Sequence, residues 1–476
     1  MIILVLAIIG AGGIFTGSNP AYTSHELAHH IKSSESKFLI TEPEILDPLT
    51  FAAAEVGIPD HHVWIFDNLG QPIPTKRQYW KELLSFGEED WVRFDDLQTA
   101  KSTTAARLFS SGTTGLPKAV TITHHNLIAQ HELVLGVNSR PYPLFTTIAL
   151  DHQENYTLSD TGLQISRIIA VPVFHASAAP VTHISTLKAG NVAYMMRRFD
   201  LEGYLSTVER FDVTDLAMVP PIVIAILMSP LSQKRPFLRK VRLAACGAAP
   251  LDKDVQARFR SLMGDDSPFT QVWEHDDTGS VGRLIPNLEA KLIDESGQNI
   301  SAYNVRGELC VRGPTVTPGY YKNQEANAQS FDNEGWFKTG DIAYCDRETR
   351  KWYIVDRRKE LIKVRGFQVA PPELEAVLLS HPQVIDAAVI GITIPGATTE
   401  FPRAYVVRRQ ATDGEKVTEE ELRKYVLDRL ARYKELTGGV KFVGSIARNP
   451  SGKILKRVLR EDAKKEVESG AIKPRL

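Results

Sequence analysis

Between residues 37 and about 355 the chain alternates short apolar runs with stretches whose apolar positions recur at helical spacing. The runs at 37–40, 62–66, 168–173, 191–195, 213–219 and 241–246 predict strands, and 201–210 and 251–263 are two of the helices predicted between them. Such alternation implies an α/β architecture with mainly parallel sheets. Residues 72–104 are polar and irregular and read as a surface excursion. A strand at 351–355 precedes a dense basic run. Beyond it a helix opens at 371–375, followed by strands at 384–392 and 404–409 and a helix at 418–433, the outline of a compact α+β domain. No internal repeat and no low-complexity tract interrupts the pattern.

Composition narrows the class. With 476 residues, 43% apolar and 24% charged, the chain is ordinary for a globular protein and long enough for two or more domains. A net charge of −1 offers no long-range attraction for nucleic acid or an anionic membrane. The three cysteines, Cys246, Cys310 and Cys345, are far apart with no Cys-x-x-Cys, which suits a reducing compartment and no structural zinc. The first fifteen residues lack the basic segment of a secretory signal, and their apolar run is too short to span a membrane. Gly10-x-Gly12 after a strand-like run has the opening of a dinucleotide site, but Phe15 stands where the third glycine belongs.

Two motifs compete for attention. His25-Glu26-Leu27-Ala28-His29 matches His-Glu-x-x-His, in which two histidines on one helix face bind zinc. No third ligand follows at the metzincin spacing, and Ser24 reads as a helix cap, so a solvated amphipathic helix is the reading preferred over a zinc protease. Stronger is 108–120, Leu-Phe-Ser-Ser-Gly-Thr-Thr-Gly-Leu-Pro-Lys-Ala-Val. Strand-like runs flank Ser110, Ser111, Gly112, Thr113, Thr114, Gly115 and Lys118. Glycines let backbone N–H groups and hydroxyls surround phosphate oxygens, and a lysine supplies the counter-charge. A flexible Ser/Gly linker would lack the strands and the Pro-Lys. The nucleotide P-loop would end in Gly-Lys-Ser/Thr, which this run does not.

At these residues the chain resembles the adenylate-forming (AMP-binding) enzymes, closest to acyl/aryl-CoA ligases of the 4-coumarate-CoA ligase-like type, including fungal ones of secondary metabolism. Ala119 departs from the usual glycine after the lysine. The resemblance extends over most of the chain. It implies a large multi-subdomain N-terminal domain with mainly parallel sheets at 1–356. A small mobile α+β domain follows at 357–476, with a hinge near 357–359. It also implies ATP, Mg²⁺ and coenzyme A as cosubstrates and cofactors, and a small-molecule carboxylic acid as substrate.

The site residues follow from matching motifs. His175, directly after a predicted strand, together with Ser177, lines the acyl pocket, as do Gly247, Ala248 and Ala249 after the strand at 241–246. A lone histidine at such a position is as often a satisfied core residue. Gln271 falls in the nucleotide site. Asp341, on a predicted turn, would accept the ribose hydroxyls, although turn aspartates often bond their own backbone. In the basic run, Arg357 would bind ribose or phosphate, Lys363 and Gln368 would face the adenylate, and Arg365 and Gly366 would meet coenzyme A. Lys453, on Asn449-Pro450-Ser451-Gly452-Lys453, would be the adenylation lysine. Lys453, Lys363 and His175 are thus the candidate catalytic residues, and no residue is assigned to metal.

Two departures stand out. Family members carry a further segment before the stretch matching 10–27, so this chain reads as truncated at its start. They also carry Gly-x-Thr-Glu after the residue matching Gln271, where this chain runs Val272-Trp273-Glu274-His275. Its threonine contacts the AMP phosphate and its glutamate binds Mg²⁺ in the family. The competing class is therefore a remnant, or the product of a mis-assigned gene, that binds nucleotide without turnover. The final Pro-Arg-Leu has the form of a peroxisomal address, which points to peroxisome or cytoplasm and to a peroxisomal import receptor as a partner.

Overall fold

The computed structural model describes residues 2–67, 69–74, 77–110, 117–133, 165–176, 178–179, 181–247, 253–265, 267–271, 280–357, 360–364, 367–395, 397, 399–409, 417–448 and 454–472. By contacts the chain divides into two compact units. One comprises Met1–Gly136, Pro172–Gly190 and Gly313–Phe331; the other comprises Val137–Val171, Asn191–Arg312 and Asp332–Leu476.

In the first unit the apolar opening is a helix, Ile2–Gly10, rather than the strand-like run expected. Periodicity cannot separate a short buried strand from a buried helix. Here the backbone settles it, because Ala11 and Gly13 donate back to Ala7 and Ile8, and Gly12 adopts φ +76° in the left-handed region. With no strand before it, Gly10-x-Gly12 loses the context a dinucleotide site requires. The next helix, Ser24–Ser34, is capped one residue earlier than expected: Thr23 accepts from the Glu26 N–H, and the Glu26 carboxylate accepts from the Thr23 N–H in return. It packs Leu27, Ala28 and Ile31 against Leu49, Ala52 and Ala53 of helix Leu46–Val56. A small parallel sheet, Leu39–Thr41, Val63–Ile65 and Gln78–Tyr79, completes that core. The excursion is largely exposed from Lys81 to Leu97, as expected, but it also contains strand Gln78–Tyr79, a 3₁₀ helix, Trp80–Phe86, and helix Leu97–Ser102.

The second unit holds the parallel sheet that the alternating pattern predicts. Its order is Phe269–Gln271, Leu243–Cys246, Asp215–Met218, Ser166–Ile169, Val192–Met195, and every pairing is parallel. Helices Leu201–Arg210 and Pro220–Met228 bury Tyr204, Leu205 and Ile226 against Ile168, Leu216 and Ala244. A separate four-stranded sheet, Glu289–Ile293, Gly307–Arg312, Phe337–Cys345 and Trp352–Arg357, is antiparallel throughout. Residues beyond 360 build two cores on opposite faces of one sheet. Val389 and Val406 point to one core under helices Pro371–Leu379 and Glu419–Leu427, whereas Ile390 and Tyr405 point to the other under helix Lys456–Glu468. This is the period-two alternation of strands covered on both faces.

Candidate functional site

Two paired strands flank the Ser/Gly-rich stretch. Strands Thr104–Ser110 and Lys118–Thr123 pair antiparallel, with Ser110 opposite Lys118 and Phe109 opposite Ala119. Ser111, Gly112, Thr113, Thr114 and Gly115 lie outside the described residues, but the described residues on both sides of them are held. At the far end, the Nε2–H of His29 donates to the Pro117 carbonyl at 2.9 Å. At the near end, His30 stacks on Phe109 with ring centroids 3.9 Å apart and 24° between planes. Lys118 sits over the Tyr320 ring, its Nζ 5.4 Å from the centroid. Burial, with the adjacent His29, lowers the His30 pKa to about 4, so its ring is neutral at physiological pH and bonds Thr16 Oγ1 at 3.0 Å.

These contacts dissolve the zinc-protease pattern. His25 is exposed, Glu26 is engaged at the helix cap, and His29 spends its Nε2 on a carbonyl. Among the described residues no group of three His, Cys, Asp or Glu side chains is placed to hold a metal ion. Glu274 lies outside the described residues.

His175 opens a helical turn. Its N–H donates to the Pro172 carbonyl, and its own carbonyl accepts from the N–H groups of Ala178 and Ala179. Burial pushes the imidazole pKa down, favouring the neutral form that can line an acyl pocket. A Cβ on Gly17 would lie 2.9 Å from the Phe174 Cβ, so only glycine lets this loop approach beside His175. Ser177, Ala248 and Ala249 lie outside the described residues. Gly247 follows strand Leu243–Cys246, and Gln271 ends the neighbouring strand in register with Cys246. Both backbones are thus side by side at the carboxyl edge of the parallel sheet, where ligands of α/β folds bind. The Gln271 side chain is outside the described atoms.

Asp341 departs from expectation in an informative way. It lies within strand Phe337–Cys345, not on a turn. The ladder to Gly307–Arg312 is in register at Cys310–Lys338 and again at Glu308–Ile342, so Thr339, Gly340 and Asp341 bulge opposite Leu309. Gly340 takes φ +75°, and Thr339 Oγ1 donates to Leu309 O at 2.8 Å while accepting from the Asp341 N–H at 3.1 Å. On the other side Asp341 is the register partner of Arg357, whose Nε lies 3.4 Å from Oδ1. Asp341, expected at the ribose, and Arg357, expected at ribose or phosphate, are therefore neighbours, although 16 positions separate them in the sequence (357 − 341).

Beyond Arg357 the chain turns at once, since its carbonyl accepts from the N–H groups of Glu360 and Leu361. Strands Ile362–Val364 and Phe367–Val369 then pair antiparallel, with Lys363 opposite Gln368 in the backbone register. Lys363 extends into solvent, while its backbone is anchored by Glu400 Oε2 at 2.7 Å and Thr399 Oγ1 at 3.0 Å. Arg365, Gly366, the Gln368 side chain and Lys453 lie outside the described atoms. The described residues on either side of 449–453 are held by a bridge between Arg448 and Ile454 and by an ion pair from Arg448 to Asp386 at 2.7 Å. Sequence reasoning missed His29 and His30 as the contacts of Pro117 and Phe109 on either side of the Ser/Gly-rich stretch. His29 carried only the misleading zinc pattern, and His30 carried no signal.

Two family profiles match this architecture: AMP-binding enzyme over residues 1–321 and AMP-binding enzyme C-terminal domain over residues 373–453. The chain belongs to the AMP-binding enzyme family. Among relatives of this AMP-binding enzyme, the phenylacetyl-CoA ligase epaB of Aspergillus niger is 48% identical, covering 96% of this chain and 84% of that protein. The acyl-CoA ligase azaF, also of Aspergillus niger, is 47% identical over 96% and 85%. The ATP-bound crystal structure of MatB from Rhodopseudomonas palustris matches with TM-score 0.77 and 27% identity, covering 98% of this chain and 87% of that one. The AMP complex of O-succinylbenzoate coenzyme A synthetase (MenE) from Bacillus subtilis matches with TM-score 0.71 and 25% identity, over 97% and 85%. The fold is that of the adenylate-forming enzymes. No helix among the described residues of this AMP-binding enzyme is long and apolar enough to cross a membrane.

Proposed function

We propose that this AMP-binding enzyme is an AMP-forming acid–thiol ligase of secondary metabolism that joins a carboxylic acid to coenzyme A at the expense of ATP. The observation that carries the reading is chain-long identity of 47–48% to fungal acyl-CoA ligases. In the first half-reaction a substrate carboxylate oxygen attacks the α-phosphorus of MgATP, and the bond to pyrophosphate breaks. The loop Ser110–Lys118, with Ser111, Gly112, Thr113, Thr114 and Gly115, cradles the phosphates. Asp341 accepts the ribose hydroxyls beside Arg357, Gln271 lies at the nucleotide, and Lys453 opposes the charge on the transferring phosphate. His175, Ser177, Gly247, Ala248 and Ala249 surround the acyl group. The domain after a hinge at 357–359 then rotates, withdrawing Lys453. In the second half-reaction the coenzyme A sulfur attacks the acyl carbon and AMP leaves. Lys363 and Gln368 face the adenylate, and Arg365 and Gly366 meet coenzyme A.

The acid is an aryl or acyl acid, with phenylacetate the first to try, given the name of the 48% identical relative. One feature favours a second reading, nucleotide binding without turnover: the lack of Gly-x-Thr-Glu after Gln271. Pyrophosphate release with phenylacetate and a panel of aryl and fatty acids separates the two. Release that requires an acid supports the ligase; ATP binding with no release for any acid supports the second reading. The Pro-Arg-Leu end supports peroxisomal import, and one 33% identical relative is named peroxisomal OPC-8:0-CoA ligase 1. A fluorescent reporter ending in these residues should then enter peroxisomes, and one that stays in the cytosol would refute the address.

A further inference from the structure

Lys456 begins helix Lys456–Glu468 and is only 8% exposed at its side chain. A cation at a helix N-terminus meets the positive end of the macrodipole, and a buried ammonium is costly unless paired. Both penalties are met by two acids. The ammonium lies 3.1 Å from Glu375 Oε1 and 3.5 Å from Glu360 Oε2, and these carboxylates are themselves 13% and 14% exposed. Glu375 is in turn locked to the sheet, since its Oε1 accepts the Val389 N–H at 2.8 Å. Glu360 closes the turn after Arg357 through its own N–H, which donates to the Arg357 carbonyl at 2.8 Å.

The partners matter more than the pairing. Lys456 follows Lys453 by three positions, and Leu455 between them donates to the Ala447 carbonyl at 2.9 Å, which ties the two described sides of 449–453 together. Glu360 is the first described residue after 358–359. One buried ammonium thus joins the base of the Lys453 loop, the start of the segment that follows the hinge, and helix Pro371–Leu379.

We propose that Lys456 is a positioning residue for adenylation: it fastens the Lys453 loop to Glu360, so that the loop and the segment after the hinge turn as one body. The proposal rests on the reading of Lys453 as the adenylation lysine. A surface ion pair would not serve, because exposed pairs re-solvate at little cost. A buried three-group cluster has one well-satisfied arrangement and therefore fixes direction as well as distance. Lys363 is fastened separately, through Glu400 and Thr399, so the thioester step does not depend on Lys456.

The test uses the full chain and two half-reactions: acid-dependent exchange of labelled pyrophosphate into ATP, and thioester formation from synthetic phenylacetyl-adenylate and coenzyme A. Lys456→Met should slow the exchange about ten- to a hundredfold and leave thioester formation within about threefold; such factors suit a misplaced catalytic group. Lys456→Arg should restore most of the exchange. Hydrogen exchange of the amides at 447–448 and 454–455 should rise in Lys456→Met, with 362–364 unchanged. Should Lys456→Met fail to fold, Glu360→Gln, which leaves Lys456 paired with Glu375, should show the same split. Equal loss in both half-reactions, or no loss in either, with a folded variant overturns the proposal. Lys453→Ala is the control for what lies beneath it. Full exchange in that variant would remove the adenylation lysine itself, whereas lost exchange there with normal exchange in Lys456→Met would remove only the positioning role.

Discussion

Replacing Asp341 by alanine should weaken ATP binding about ten- to a hundredfold while leaving the fold intact. The carboxylate is 28% exposed and stands on a bulge held by Thr339, so its loss leaves the sheet's ladder in place. Its ion pair with Arg357 is long, 3.4 Å, and the guanidinium is 42% exposed and can turn to water. Pairs of that exposure contribute about 0–1 kcal/mol, so thermal stability should change little. Ribose binding is another matter. A hydrogen bond to a charged acceptor contributes roughly 1.5–3 kcal/mol, and each 1.4 kcal/mol is about tenfold in affinity. Titration calorimetry with ATP, alongside a melting curve, reads both quantities. Unchanged affinity in a folded Asp341→Ala protein would refute the assignment, and so would a collapse in stability that explains the lost binding.

Three further outcomes follow from the same site. Lys453→Ala should abolish adenylate formation but spare thioester formation from a preformed adenylate, and Lys363→Ala should do the reverse; equal effects in both assays would contradict a two-conformation cycle. His30 and His183 are both held near a pKa of about 4 by burial, against 6.5 when free. The unfolded chain therefore takes up protons first, and stability should fall as pH drops from about 6.5 towards 4, by up to ~3 kcal/mol per histidine. Urea unfolding at pH 7 and pH 4.5 measures it, and a His30→Gln variant should lose part of the slope; identical slopes would show that His30 is not the cause. Inserting Gly-x-Thr-Glu after Gln271 should raise pyrophosphate release about a hundred- to a thousandfold, the usual loss for one preorganised electrostatic contact. Equal rates with and without the insert would show that another group, such as Glu274, fills the place.

Much of the fold was legible because the central parallel strands, Ser166–Ile169, Asp215–Met218 and Leu243–Cys246, are buried on both faces. Strand Leu243–Cys246 is apolar without interruption and buried at every position. Helix Leu201–Arg210 was legible to the residue, since Tyr204, Leu205 and Val208 repeat on one face. The partner of a strand is not written in its own pattern, which is why the antiparallel sheet from Glu289 to Arg357 did not announce itself. The opening run failed for the opposite reason: Ile2–Gly10 is apolar all round, and hydrophobicity alone does not choose between strand and helix. At the site, the Ser/Gly loop and the basic run stood out through composition. Asp341 beside Arg357 required a sheet register, and His29 on the Pro117 carbonyl joins residues 88 positions apart. Lys456 is one lysine among many until its burial is known.

The central claim is that an acid leaves this protein as its coenzyme A thioester. The most direct measurement is mass spectrometry of quenched reactions holding the full chain, MgATP, coenzyme A and phenylacetate or another acid of the panel. The account predicts an acyl-adenylate, then an acyl-CoA that appears only when ATP and acid are both present. Its rate should lie well below the ordinary enzyme range of about 1–1000 per second. Tight ATP binding with neither product for any acid, even after Gly-x-Thr-Glu is restored, would contradict it.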